Sequence, residues 1–453
     1  MVYLGLALLT VCLLCFLSLW LADSRGTWVV TPFLIFAAFE MISLWPSTIS
    51  AYYTGLSSSA YPILVAGLGF ASFLAGFAFF RWLPGGRVRS PKTFLSLPIQ
   101  LPIPATNYIM GLALTTLILL GMAWYRFQGI PPVIYFLLGQ LGLASPVTTG
   151  FVQTSREFLN KAHFFGGQYR GQGLTTSFMH TGWPFLLAIC LSIYDKTRKK
   201  SWLLASILFF LFTFIFIAGE GTRSPFIFAM LYVLVVISML KRLKTRFLVL
   251  IGVTLFAVTI VLSLSAGKIE TNDPNSSLNY AIQRILTRIA LDDGIDSVYV
   301  IEFVESGILD YRYGAVHWQK AILALPGPAG GLPFSRELSV LLHKKSATSF
   351  SSTTYLATLY IDFGLTGVML GYLMIGCTIG LAQRILFSGK KTPLQLALVG
   401  YTTFYLGFMS LNGGIGFISS YVVVLAIYFI FVVGASLRPI FVIRRPTPGF
   451  NEA

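Results

Sequence analysis

The chain has 453 residues, of which 56% are hydrophobic and only 11% are charged, and its formal net charge is +16. A mean hydropathy of +0.78 exceeds what the core of a water-soluble protein of this length needs, and many apolar runs are long enough to cross hydrocarbon. These values exclude a soluble globular protein. The four cysteines lie inside apolar runs, so we expect them to form neither disulfides nor metal sites.

The apolar runs predict an all-α polytopic membrane protein with about eleven transmembrane helices. In chain order the helices are expected near residues 2–21, 28–47, 60–80, 106–125, 177–194, 202–219, 224–240, 247–266, 355–383, 393–411 and 414–436. The first run lacks a basic flank and a small-residue cleavage site, which indicates a retained helix rather than a signal peptide.

Two long polar segments divide this membrane protein into five parts. They are N-terminal spans (1–125), a first outer loop (126–176), central spans (177–265), a large and partly helical outer loop (266–354), and C-terminal spans with a tail (355–453). The large loop is the longest polar segment of the chain, so we expect much of any chemistry there.

The basic residues indicate the orientation of the spans. Short basic loops alternate along the chain with neutral or mixed loops, and the basic loops hold most of the 32 Lys and Arg residues. An excess of Lys and Arg is typical of cytoplasmic loops. The positive charge is therefore explained by topology and by contact with the lipid bilayer, and no nucleic-acid partner is expected. The N-terminus is predicted to lie outside, and the C-terminus in the cytoplasm.

Arginines near the predicted outer boundary are candidates for binding an anion. Arg156 and Arg170 lie in the first loop, and glycines around Arg170 allow a ligand to approach while the guanidinium grips a phosphate. Arg223 precedes Pro225 at the predicted start of a span, where free backbone amides and a cation suit a lipid diphosphate. The alternatives are a solvated arginine in a glycine-rich turn and a structural pair between Glu220 and Arg223.

In the large loop, residues 279–290 have the pattern of an amphipathic helix with Arg284 and Arg288 four positions apart on its polar face. Two guanidiniums on one face fit a diphosphate or a sugar carboxylate. An interfacial helix with ordinary snorkelling arginines has the same pattern, so both interpretations stay open.

Further along the large loop, acidic residues are followed by aromatic residues and two more arginines. Tyr313 and Trp318 offer flat apolar faces for sugar rings, and Arg312 and Arg336 are further candidates for substrate binding. The carboxylates suit sugar hydroxyls. They show no spacing typical of a metal site, so we expect neither a metal nor a cofactor.

His317 is the preferred candidate for a general base, because histidine as a residue type titrates near neutral pH. Glu302 is the second choice. A histidine in a loop is more often incidental, and His163 and His180 compete for the same role.

Three features of the chain resemble the oligosaccharide repeat-unit polymerases of the Wzy type, the O-antigen polymerase family. They are the entry to a span at Gly219–Pro225, the Pro/Gly-rich Leu325–Pro333, and Thr353–Gly367, which returns into a long span. With the arrangement of the spans, the resemblance covers most of the chain. The Arg-x10-Gly spacing described for outer loops of such polymerases occurs once, from Arg156 to Gly167.

The resemblance implies a glycosyltransferase that joins undecaprenyl-diphosphate-linked oligosaccharides on the outer face of the bacterial inner membrane. The lipid diphosphate would be the leaving group, and its charge is expected to be neutralised by Arg156, Arg170, Arg223, Arg284 and Arg288. A chain-length-regulating co-polymerase is the partner that such a reaction admits.

Three alternatives are compatible with the same residues. An O-antigen ligase would transfer the glycan to lipid A-core with the same donor. A flippase or transporter of lipid-linked glycans would need charge at mid-span, whereas the predicted spans lack charge except for Glu40 and Asp362 toward their outer ends. A non-catalytic scaffold would tolerate removal of the loop charges.

Overall fold

The computed structural model describes residues 2–24, 30–57, 59–82, 91–101, 105–127, 172–217, 223–240, 293–318, 334–342, 354–412 and 418–436, with single positions at 131, 134 and 138. All regular secondary structure in these residues is helical. The helices are α1 (Val2–Ser24), α2 (Pro32–Phe39), a π-helix (Glu40–Leu44), α3 (Trp45–Tyr53), α4 (Tyr61–Trp82), α5 (Pro91–Ser96), α6 (Ala105–Phe127), α7 (Gln172–Thr197), α8 (Lys200–Ile217), α9 (Arg223–Leu240), α10 (Asp293–Glu305), α11 (Phe334–Leu341), α12 (Tyr355–Ser388), α13 (Pro393–Asn412) and α14 (Ile418–Ser436).

Seven helical segments in the described part of the chain are long and apolar enough to cross a membrane. They are Val2–Leu21, Pro32–Tyr53, Tyr61–Phe80, Tyr108–Phe127, Ser177–Thr197, Lys200–Ile217 and Tyr355–Ser388. Shorter apolar helices occur at Phe226–Leu240 and Tyr421–Val433. The protein is therefore a helical membrane protein, as its composition predicts. The predicted span near 247–266 lies outside the described residues, and the total of eleven stays a prediction.

The second span differs from its predicted position, because it begins and ends later in the chain. Thr31 caps the helix, its hydroxyl accepting from the Leu34 N–H at 3.2 Å. The span was predicted to end near residue 47. Instead the helix continues to Tyr53, and the hydroxyls of Ser47 and Thr48 donate to carbonyls of the preceding turn.

The described helices pack into two hydrophobic cores. One core is formed by α6, α7, α8, α9, α13 and α14, with residues of α5 and the end of α12, around Trp183 and Tyr232. The other is formed by α1 to α4 with α10, α11 and α12, and its centre contains Phe36, Phe73 and Tyr372. Helix α10 belongs to the predicted outer loop, yet it packs on α3, the π-helix and α12. Part of this loop therefore rests directly on membrane helices.

Helices α4 and α12 approach each other closely because glycines lie at their contact. A Cβ added to Gly76 would lie 2.2 Å from the Leu373 carbonyl oxygen, and one added to Gly376 would lie 2.2 Å from the Phe73 carbonyl oxygen. Small residues at such crossings let helix backbones touch within a membrane.

We expect Gly76→Ala to force α4 and α12 apart and to lower stability by about 1–3 kcal/mol, the usual effect of overpacking. Thermal unfolding of the detergent-purified protein measures the change. Gly121→Ala is the matched control, since a Cβ at Gly121 meets nothing within 4 Å. Equal midpoints for the two variants would contradict the close contact.

Candidate functional site

The segment Tyr311–Trp318 lies against a kink in α12. The helix breaks at Gly364, whose φ of 65° and ψ of −157° are not helical. The Arg312 N–H donates to the Ile361 carbonyl at 2.9 Å, just before this break. A Cβ at Gly364 would meet the Tyr311 ring at 3.2 Å, so the segment and the kink are in direct contact.

The kink brings a buried carboxylate to His317. Asp362 Oδ2 lies 2.5 Å from His317 Nδ1. The backbone N–H groups of Val316 and His317 donate to Oδ1 and Oδ2 of the same carboxylate, each at 3.1 Å. Asp362 is fully buried, while the His317 side chain is 14% exposed. Three donors thus satisfy both oxygens of Asp362 and fix the position of the imidazole.

The second nitrogen of the imidazole is the one left for a ligand. With Nδ1 bound to Asp362, Nε2 has no hydrogen-bond partner among the described residues. The ring is flanked by Tyr355 and Phe363, with centroid distances of 6.4 and 6.3 Å. A carboxylate that receives Nδ1–H leaves the lone pair on Nε2, which is the arrangement of a general base.

Asp362 is the residue of this site that the sequence did not assign. It was noted only as a charge toward the end of a span, because His317 lies 45 residues away in the chain. The sequence signal for Asp362 was the acid itself, because burying an ionisable residue in a membrane helix costs free energy and such residues usually have a function. The glycine two positions later was a second signal for a break in the helix.

Two carboxylates of α10 are held by hydroxyls from neighbouring elements. The Ser57 hydroxyl donates to Glu302 Oε1 at 2.5 Å, and the Tyr360 hydroxyl donates to Glu305 Oε1. These bonds connect α10 to the turn after α3 and to the first part of α12. Glu302 is therefore engaged with Ser57, and its predicted role as an alternative base stays a prediction.

Tyr311 adds a phenol to the same surface. Burial, and after it the charge of the Glu305 carboxylate, raise the pKa of Tyr311. A raised pKa keeps the phenol protonated over a wider range than usual. Tyr311 can therefore act as a hydrogen-bond donor at neutral and mildly alkaline pH.

Arg312 was predicted to bind substrate, and the structure gives it a partner within the protein. Its Nη2 donates to Glu337 Oε1, so the pair joins the Tyr311–Trp318 segment to α11. The buried Nε of Arg312 has no partner among the described residues. The binding role of Arg312 stays a prediction.

The predicted sugar-stacking residues lie on the exposed side of the segment. Tyr313 is 82% exposed and Trp318 is 69% exposed, on either side of His317 in the chain. Such exposed rings beside a buried pair are available to a ligand. Their role in binding stays a prediction.

The remaining predicted residues are only partly covered. Helix α9 begins at Arg223, as the nearby proline predicts, and Arg336 lies in α11, but the side chains of both fall outside the described part. Arg156, Arg170, Arg284 and Arg288 lie outside the described residues altogether. Among the described residues, no group of three or more His, Cys, Asp and Glu side chains is placed to hold a metal ion.

No protein-family profile, no curated protein and no solved structure matches this chain. We therefore infer its function from the chemistry of the site.

Proposed function

We propose that the protein polymerises lipid-diphosphate-linked oligosaccharide repeat units on the outer face of the bacterial inner membrane. The observation that supports this most strongly is the His317–Asp362 pair at the kink of a membrane helix. A base at this place can serve a substrate whose lipid lies in the bilayer while its glycan lies outside.

The reaction requires one proton transfer and one displacement at carbon. His317 Nε2 takes the proton from a hydroxyl of the acceptor repeat unit, and that oxygen forms a bond to the anomeric carbon of the donor. The bond between this carbon and the diphosphate oxygen breaks, and its electron pair leaves with the lipid diphosphate. Asp362 keeps the imidazole in the required tautomer and stabilises the imidazolium that forms.

Binding of the two substrates is assigned to the surrounding charges and rings. Tyr313 and Trp318 stack on sugar rings, and the carboxylates of Glu302 and Glu305 accept hydrogen bonds from sugar hydroxyls. The negative charge on the departing diphosphate is neutralised by arginines. Those arginines are Arg156, Arg170, Arg223, Arg284, Arg288 and Arg336.

Deletion of the gene tests this function, with the surface glycans resolved by size on a gel. We expect the ladder of long chains to disappear while single repeat units stay attached to the core, since ligation and flipping would still operate. Loss of all attached glycan would point to an O-antigen ligase or a flippase, and the side on which the lipid-linked intermediate accumulates separates these two. An unchanged ladder would contradict all three enzymes.

Replacing His317 and Glu302 separately tests which of them is the base. In vesicles supplied with lipid-linked repeat units, we expect His317→Gln to slow chain growth by at least about 100-fold, the lower range for loss of a general base. Glu302→Gln should slow it by less than about tenfold, because an amide oxygen can still accept from Ser57. The opposite order would assign the proton transfer to Glu302.

A further inference from the structure

Glu40 is a second fully buried carboxyl, and it lies outside the site described above. It begins the π-helix within the second span. The hydroxyls of Tyr372 and Ser410 donate to its Oε1 at 2.9 and 2.7 Å. Its Oε2 is buried and has no partner among the described residues. Three helical segments, the second span together with α12 and α13, thus meet at one carboxyl group.

The partners of Glu40 differ from those of Asp362 in a way that bears on charge. Asp362 has three N–H donors distributed over both oxygens. Glu40 has two hydroxyl donors on one oxygen and, among the described residues, none on the other. A carboxylate with one oxygen bare in an apolar interior is strongly disfavoured, whereas a neutral acid places a proton on that oxygen.

The part of the chain that the structure describes places no compensating positive charge beside Glu40. Its side chain forms no ion pair with any described Lys, Arg or His. Helix α12 faces it with the Tyr372 phenol and α13 with the Ser410 hydroxyl. Helix α10 packs on the π-helix, and the titratable residues of α10 are four acids and Tyr299, with no Lys, Arg or His among them. The described neighbours of Glu40 therefore supply hydroxyl groups and no cation.

We propose that Glu40 is a proton-binding site within the membrane domain, occupied as a neutral carboxylic acid whose proton resides on Oε2. A π-turn is a common feature of functional sites in helices, and here it places the carboxyl between the spans. The ligand is a proton. A monovalent cation such as sodium could bind the same carboxyl group, so the test must distinguish a bound proton from a bound sodium ion.

The proton on Glu40 has a consequence for the His317 site. Glu40 fixes the Tyr372 hydroxyl, the Tyr372 ring lies 5.6 Å from that of Tyr355, and the Tyr355 ring lies 6.4 Å from that of His317. The neutral acid therefore holds Tyr372, which packs on Tyr355, and Tyr355 in turn contacts the imidazole. The protonation itself does not depend on the proposed polymerase function, so either can fail without the other.

Infrared difference spectroscopy on the full-length protein in vesicles tests the proposal at neutral pH. The spectrum of wild type minus Glu40→Gln should contain the carbonyl stretch of a protonated carboxylic acid. Carboxylate stretches in its place would overturn the proposal. Wild type minus Asp362→Asn is the matched comparison, and there we expect carboxylate stretches because Asp362 has three donors.

Two further measurements complete the test. The acid carbonyl band should persist when sodium replaces choline in the buffer, and its loss would overturn the proposal in favour of a sodium site. Where Glu40→Gln does not accumulate, Ser410→Ala keeps the carboxyl and removes one donor from Oε1. The acid carbonyl band should then move to higher frequency, and a spectrum without any change in that band would overturn the proposal as well.

Discussion

Replacing Asp362 by asparagine is expected to lower the rate of chain growth by about 10³- to 10⁴-fold, the size of effect that follows when a base loses the carboxylate that orients it. In the wild type, two backbone N–H groups and His317 Nδ1 contact the two carboxylate oxygens of Asp362. Asparagine replaces one of these oxygens by an NH2 group, which is itself a donor. The imidazole is then driven to the tautomer with hydrogen on Nε2, which cannot accept a proton. The measurement is ladder formation in vesicles at equal amounts of protein.

Asp310→Asn is the control for this prediction. Asp310 is an exposed carboxyl on the same outer segment, so its replacement removes the same charge without touching the buried pair. We expect an exposed substitution of this kind to change stability by no more than about 0.5 kcal/mol and to leave chain growth near the wild-type rate. A wild-type rate for Asp362→Asn would mean that Asp362 does not orient the base. Equal losses in both variants would indicate that only the charge of the segment matters.

The fold class could be predicted from the sequence because apolar length is a local property. Each long apolar run predicts one helix without reference to the rest of the chain, and the described spans lie close to the predicted ones. The second span was predicted at 28–47, whereas the helical segment runs from Pro32 to Tyr53 and includes polar residues after Leu44. Hydroxyls of Ser47 and Thr48 that bond back to the helix remove their cost inside the membrane.

The candidate site could be predicted only in part, because its chemistry depends on residues that are distant in sequence. His317 was chosen for the properties of histidine, but no local pattern joins it to Asp362 across 45 residues. Glu40 and Tyr372 are 332 residues apart, and their hydrogen bond could not be anticipated either. Such pairs arise from helix packing, which composition and periodicity do not specify.

Gly364→Ala is expected to cost about 1–3 kcal/mol of stability and to impair chain growth as well. At Gly364 the backbone has φ 65° and ψ −157°, a conformation that is essentially restricted to glycine. The added Cβ would also press on Tyr311 at 3.2 Å, so the neighbouring segment must shift. Asp362 lies two residues before the kink, and the segment that carries His317 contacts the kink through Tyr311. We therefore expect this shift to change the distance between His317 Nδ1 and Asp362 Oδ2. Thermal unfolding and ladder formation measure the two effects separately.

Gly307→Ala is the matched control, because Gly307 also has a positive φ but lies where an added Cβ has no neighbours. Gly307 has φ 71°, and a Cβ there meets nothing within 4 Å. Both variants should unfold at lower temperature than wild type, since an alanine is strained at positive φ. Only Gly364→Ala should also slow chain growth, because only that position touches the site. Equal chain growth in the two variants would contradict a role for the kink in holding His317 and Asp362 together, and the base would then have to be sought elsewhere on the outer face.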